Sequence, residues 1–147
     1  MTTQELPAHL NELSRRVIQC AIEVHRHLGP GLLERFYERA MLIELQMAGL
    51  QVAAQVPVLI TYKGQPLGEQ RLDLVVEGCL VLELKSIESI SEVETDQVVS
   101  YLRAGGFPLG LLINFNVARL VDGVRRRVNS TVLASAPSAN PSASSAT

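Results

Sequence analysis

Apolar residues recur at spacings of three and four over Leu10, Leu13, Val17, Ala21, Val24 and Leu28, which predicts an amphipathic helix over residues 8–28. Gly29-Pro30-Gly31 breaks it. A second helical register through Leu33, Phe36, Tyr37, Ala40, Met41 and Glu44 predicts a helix from about Leu32 to Ala48, with Gly49 as its C-cap. The chain then turns to extended segments. Val52 to Tyr62 is expected as a strand whose Pro57 places it at an edge or bulge. Lys63 to Gly68 is expected as a turn, and Glu69 to Val76 and Cys79 to Ile87 as two further strands in an antiparallel meander. Helical spacing returns with Val93, Gln97, Val98, Tyr101 and Leu102, so a helix should span about Glu92 to Ala104 and end at Gly105-Gly106. Leu109 to Asn116 is an apolar strand. Because a helix joins them, it should lie parallel to the Cys79–Ile87 strand. Val117 to Val128 should add a last short strand or turn.

This alternation describes an α/β domain over residues 1–129, and the chain of 147 residues with a hydrophobic fraction of 47 % is long enough for one buried core. Residues 130–147 differ. They carry no charge and are dominated by Ser, Ala and Pro, so this tail is expected to be disordered.

Within the pattern, two apolar strands carry charges. Leu72-Asp73-Leu74-Val75-Val76 holds an acid, and Val81-Leu82-Glu83-Leu84-Lys85 holds an acid and a base. Continuous apolar runs of this kind belong to strands covered on both faces, where ionised groups are costly unless paired or bound to metal. Glu83 and Lys85 share one face, since positions two apart on a strand point the same way. A two-residue hairpin at Glu77-Gly78 would put Asp73 on the wrong face. A three-residue loop of Val76, Glu77 and Gly78, with the glycine left-handed, pairs Val75 with Cys79 and sets Asp73 beside Val81, diagonal to Glu83 on its face.

An Asp, a Glu and a Lys held together suit hydrolysis of a phosphodiester. Two hard carboxylates bind Mg2+ or Mn2+, with water and phosphate oxygens completing the shell, and a nearby Lys orients the attacking water or stabilises the transition state. The plain alternative makes Glu83 and Lys85 a solvated face of an edge strand and Asp73 an unrelated surface charge; the apolar flanks and the second acidic strand weigh against it.

At these residues the chain resembles the PD-(D/E)XK nuclease superfamily. Gly31-Leu32-Leu33-Glu34-Arg35-Phe36-Tyr37 fits the G-x-x-E-x-x-Y pattern that names one bacterial family within it. Asp73, then Glu83-Leu84-Lys85, then Gln97-Val98-Val99-Ser100-Tyr101, and finally Gly110-Leu111-Leu112-Ile113-Asn114-Phe115 continue the likeness in order, and the set also looks like the RecB-type branch. The resemblance implies a restriction-endonuclease-like core, with a mixed central sheet flanked by helices. It implies a Mg2+- or Mn2+-dependent nuclease in which Asp73, Glu83, the Leu84 carbonyl and Glu34 serve the metal, Lys85 positions or activates water, and Gln97 and Tyr101 support metal or substrate. DNA as the polymer comes from the resemblance alone. The chain departs from the family's pattern at Glu94 and Asp96, where a His and a small residue are common, and at Leu72, where the superfamily's Pro would stand. Without the resemblance, Glu34 is explained by the helix dipole at a first turn, and Tyr37 by packing.

Composition narrows the alternatives. Two cysteines, Cys20 and Cys79, cannot supply a four-thiolate iron-sulfur cluster or a Cys-only zinc site, and buried free thiols are expected. His25 and His27 have no Cys or Asp beside them to make a metal site. The start of the chain lacks a signal peptide and no run is long enough to cross a membrane, so a cytoplasmic protein with no membrane partner is expected. Net charge is −2, yet eleven of the thirteen basic residues are Arg, gathered at Arg15-Arg16, Arg35 with Arg39, and Arg125-Arg126-Arg127. These are candidate phosphate contacts; the last run reads equally as a solvated face. A rival reading keeps the fold as a nucleic-acid-binding or regulatory protein with little activity alone, one that grips DNA as a homodimer or with a protein partner.

Overall fold

The computed structural model describes residues 6–135. Among them the elements run α1 (Ala8–Leu28), α2 (Glu34–Met47), β1 (Val52–Tyr62), β2 (Gln65–Val76), β3 (Leu80–Lys85), α3 (Glu92–Gly105), β4 (Leu109–Asn114), a 3-10 turn at Leu120–Gly123, β5 (Val124–Val128) and α4 (Ser130–Ser135). The strands lie in chain order as one mixed sheet, antiparallel except where β3 and β4 run parallel. That exception follows from α3, which carries the chain back to the end of the sheet where β3 began.

Hydrophobic spacing decides which helix covers which face. Leu13, Val17 and Ala21 of α1 and Tyr37, Met41 and Leu45 of α2 pack on Leu74, Leu82, Leu84 and Ile113. On the other face, Val98 and Leu102 of α3 meet Val58, Val75, Val81 and Leu112. With both faces covered, every residue of β3 before Lys85 is buried, Glu83 included.

The reversal between α1 and α2 needs left-handed backbone at Gly29 (φ 68°) and Gly31 (φ 102°). Tyr37 fastens it. Its hydroxyl donates to the Gly29 carbonyl (2.5 Å) and accepts the Leu32 N–H (3.1 Å), while its ring stacks on Phe115 with centroids 4.4 Å apart. Packing is thus the role of this tyrosine, and it delivers Glu34 to the first turn of α2. On α3, Ser91 accepts the Glu94 N–H and Glu94 accepts the Ser91 N–H, a reciprocal cap that starts the helix.

Three expectations need correction. The turn foreseen over Lys63 to Gly68 contracts to Lys63-Gly64, and β2 takes in Pro66 and Gly68, with Tyr62 paired to Gln65 and Thr61 to Pro66. At this tip β2 pairs only with β1, so a residue without N–H and one without a side chain are tolerated. The disorder expected from residue 130 does not hold for Ser130–Ser135, which is helical with Leu133 packed on the larger core cluster; 136–147 lies outside the described residues. Of the two thiols, Cys20 is buried, while Cys79 is half-buried at the hairpin between β2 and β3.

Candidate functional site

The site forms where two central strands part. The β2–β3 ladder runs Val76↔Leu80, Val75↔Val81 and Leu74↔Leu82 and stops there. The loop is therefore Glu77-Gly78-Cys79, one residue later than expected, with Glu77 (φ 53°) and Gly78 (φ 69°) both left-handed. The loop length stays odd, so the parity holds: extending the register brings Asp73 opposite Glu83 rather than diagonal to it. Past the last ladder pair, Asp73 Oδ2 accepts the Leu84 N–H at 2.8 Å. The N–H and C=O of one strand residue point to the same side, so the Leu84 carbonyl also faces the opening between β2 and β3.

Glu83 is 7 % exposed and its Oε1 is buried with no hydrogen-bond partner. Burial pushes its carboxyl up to about 8, the Asp73 charge pushes the same way, and Lys85 opposes them. Asp73 is also raised, first by burial, against the pull of the Leu84 N–H; Glu38 and Glu34 add to the rise and Lys85 reduces it. The pair is a desolvated diacid in which burial and the nearness of a second carboxyl both disfavour ionisation, with Lys85 opposing them.

Lys85 emerges at the end of β3, half-buried, and forms no ion pair among the described residues. It shares a cleft of about 50 Å³ with Glu83, Gln97, Tyr101, Gln70 and Glu94. Gln97 and Tyr101, one turn apart on α3, thus meet the E-x-K pair. Burial raises the Tyr101 hydroxyl, and the Glu83 charge adds to it. Asp73 stands outside this lining. Glu34 is exposed, and its Oε2 accepts the Ser86 N–H at 3.4 Å. A roomier cavity of about 370 Å³, lined by Gln51, Val52, Ala53, Val56, Val75, Gly78 and Phe107, holds no titratable group.

Sequence reasoning missed three residues. Glu38, one turn after Glu34, bears more strongly on Asp73 than Glu34 does, and both its oxygens accept from Gln55 Nε2 (3.2 and 2.9 Å). Gln55 holds a left-handed φ of 54° between the pairs Ala54↔Leu74 and Val56↔Leu72, which sets it across from Asp73. The third is Gln70, on the cleft wall. The i, i+4 spacing of Glu34 and Glu38 was a usable signal for the first; nothing local marks the other two. Glu94 borders the cleft as well, but the Ser91 N–H holds its carboxylate below the usual range and gives it a capping role.

Most of the arginine clusters are engaged within the protein. Arg15 pairs with Glu12, Arg16 donates to the Ala48 carbonyl at the end of α2, and Arg126 donates to Asn11. Arg125 and Arg127 donate to carbonyls of their own segment. Arg35 lies over the Phe36 ring at 4.9 Å, and Arg39 has no hydrogen bond or ion pair among the described residues. His25 Nε2 is bonded to Val117 O, and His27 to Glu23.

The donor set can be tested for a divalent cation. Among the described residues no group of three or more His, Cys, Asp or Glu is placed to hold a metal. What remains is two hard carboxylates, one with an unsatisfied buried oxygen, and the Leu84 carbonyl beside them. That set fits Mg2+ or Mn2+, which keep several positions for water and phosphate oxygens.

An acid at the opening of two central strands, an E-x-K pair on the next, and helices on both faces of a mixed sheet are the marks of a nuclease-type α/β domain. Residues 11–127 match the family model of the PD-(D/E)XK nuclease superfamily, and the chain belongs to that superfamily. The match carries the superfamily and not the narrower G-x-x-E-x-x-Y grouping. Searches of curated proteins and of solved structures returned no match. Among the described residues no helix is long and apolar enough to cross a membrane.

Proposed function

We propose that the protein is a Mg2+- or Mn2+-dependent nuclease that hydrolyses phosphodiester bonds of DNA. The observation that carries this reading is Glu83: a buried carboxylate with an orphaned oxygen, opposite Asp73 and two residues from Lys85. A buried acid with one oxygen left unsatisfied is destabilising, so its presence between apolar neighbours calls for a ligand. Asp73, Glu83 and the Leu84 carbonyl would hold the metal, and the chemistry it would supply there is a lowered pKa for water and neutralisation of charge on the phosphate. Lys85 positions and activates the attacking water, while Gln97 and Tyr101 border the cleft where a substrate phosphate lies. Glu34 and Glu38 act from outside the direct ligands. Arg35 and Arg39, on the same helix as those acids, contact the DNA backbone. The site of action is the cytoplasm.

The test is cleavage of single- and double-stranded DNA and of RNA with Mg2+, Mn2+ or EDTA by wild type, Asp73→Asn and Lys85→Met. Metal-dependent cutting that falls by about 10²–10⁴-fold in both variants is the expected result. Because so many arginines are engaged within the protein, the rival reading is a DNA-binding or regulatory protein that needs a second copy or another protein to cut. It predicts Mn2+ binding that Asp73→Asn abolishes, with no cleavage by the wild type alone. Absence of both cleavage and metal binding would overturn both readings.

A further inference from the structure

Asn114 ends β4 in register with Lys85, after five apolar or glycine positions, and is 1 % exposed. A buried carboxamide must spend its donors and acceptors locally, so where its bonds go indicates what it holds. Two of its three bonds go to Ile87. Oδ1 accepts the Ile87 N–H (3.0 Å) and the Asn116 N–H (3.1 Å), and Nδ2 donates to the Ile87 carbonyl (3.0 Å). Ile87 lies two residues after Lys85, beyond the end of β3, where the ladder no longer satisfies its backbone. Asn114 acts there as a strand partner made from a side chain.

The residue between them is held from the other side. Ser86 Oγ donates to the Leu32 carbonyl at 2.6 Å, and its N–H to Glu34 Oε2. The Lys85 carbonyl itself accepts the Phe115 N–H at 2.9 Å. Lys85 is thus gripped at its own carbonyl by the residue after Asn114, and at the exit of its strand by Asn114. We infer that Asn114 is a positioning residue for Lys85: its clamp on Ile87 sets the direction in which the lysine leaves the sheet and, through Ser86, the separation of Lys85 from Glu34. The inference rests on Lys85 being the group that handles the attacking water. A displacement of about 1 Å at such a group lowers a rate by about a hundredfold.

The chain contains two lysines, Lys63 and Lys85, which makes a direct test available. Reductive 13C-methylation labels both, and Lys63, at the tip of the β1–β2 hairpin over the Tyr62 ring, serves as the internal control. In Asn114→Ala the Lys85 methyl resonance is expected to shift and sharpen toward that of a freely moving lysine while Lys63 stays in place. Asn114→Asp, which keeps the two acceptor bonds and loses the donor, should give an intermediate change, and it replaces the alanine variant if that fails to fold. In cleavage assays Asn114→Ala should lower kcat about 10–100-fold with KM changed less than about twofold, and Asn114→Asp should recover part of the loss. A purely structural role lowers the melting temperature and leaves the native Lys85 resonance unmoved; that result in both variants overturns the inference. If the wild type cuts nothing, the nuclease reading fails on its own, and the lysine resonance still decides this one.

Discussion

Replacing Glu83 by Gln keeps the shape of the side chain and removes its charge, so it isolates the energetic burden of the buried diacid. A glutamate in the unfolded chain titrates near 4.5, whereas burial and the Asp73 charge move it to about 8 in the folded protein. Between those values the folded state binds more protons than the unfolded state, so the group's contribution to stability falls as pH rises from 4.5 to 8. At about 1.4 kcal/mol per pH unit the ceiling is ~5 kcal/mol; the cost is shared with Asp73, which leaves ~2–3 kcal/mol for Glu83 alone. The assay is urea denaturation of wild type and Glu83→Gln in EDTA at about pH 5.5 and pH 8.5. The variant should gain ~2–3 kcal/mol on the wild type between the two conditions. Comparing the two proteins cancels the histidines and surface acids that titrate in both. Saturating Mn2+ should reverse the order at high pH, because the variant loses a ligand and the wild type gains binding energy. A difference that does not change with pH, or one that turns in favour of the wild type in EDTA, would refute the account of Glu83 as a desolvated acid opposite a second one.

Metal binding should release protons, since the raised Glu83 carboxyl must ionise to coordinate. Calorimetry with Mn2+ in two buffers of different ionisation enthalpy reads this directly, and apparent affinity should climb with pH until about 8; an affinity flat over that range would sink the claim. Tyr37→Phe keeps the ring on Phe115 and strips the hydroxyl from the Gly29 carbonyl and the Leu32 N–H. It should destabilise by ~1–3 kcal/mol, with a loss below ~0.5 kcal/mol counting against the anchoring role. A Cβ at Gly123 would stand 2.1 Å from the Asn114 carbonyl oxygen, whereas one at Gly110 would meet the side-chain ends of Val98 and Leu102 at 2.8 and 3.1 Å. Thermal melts should therefore rank Gly123→Ala as the more damaging of the two, since backbone cannot yield as a side chain can, and the reverse ranking would contradict the packing described.

The site could be read from the chain because its charges interrupt apolar strands, and the parity of the hairpin followed from the need to bring Asp73 and Glu83 to one face. The exact loop could not. Glu77 joins the left-handed pair because its N–H donates to the Gln51 carbonyl and its carboxylate accepts the Gln51 N–H at 2.6 Å, a contact 26 residues away that no local rule supplies. Gln55 escaped notice for a related reason: a non-glycine residue with positive φ inside a strand has no sequence mark, and its partner Glu38 lies 17 residues earlier. The helix at Ser130–Ser135 was hidden by composition, since a charge-free stretch with Ser and Ala gives no helical period; Leu133 on the core is the contact that accompanies it. Glu94 differs from these. Ser91-Glu92-Val93-Glu94 carries the capping pattern in plain view, so its acid could have been explained by the helix start before any bearing on the site was considered. What was legible was therefore whatever depended on period, polarity and nearest neighbours. What was not legible was the placing of Gln55 and Asn114. Each bonds to a partner that only the folded sheet brings within reach, Gln55 to the Glu38 carboxylate and Asn114 to the Ile87 backbone.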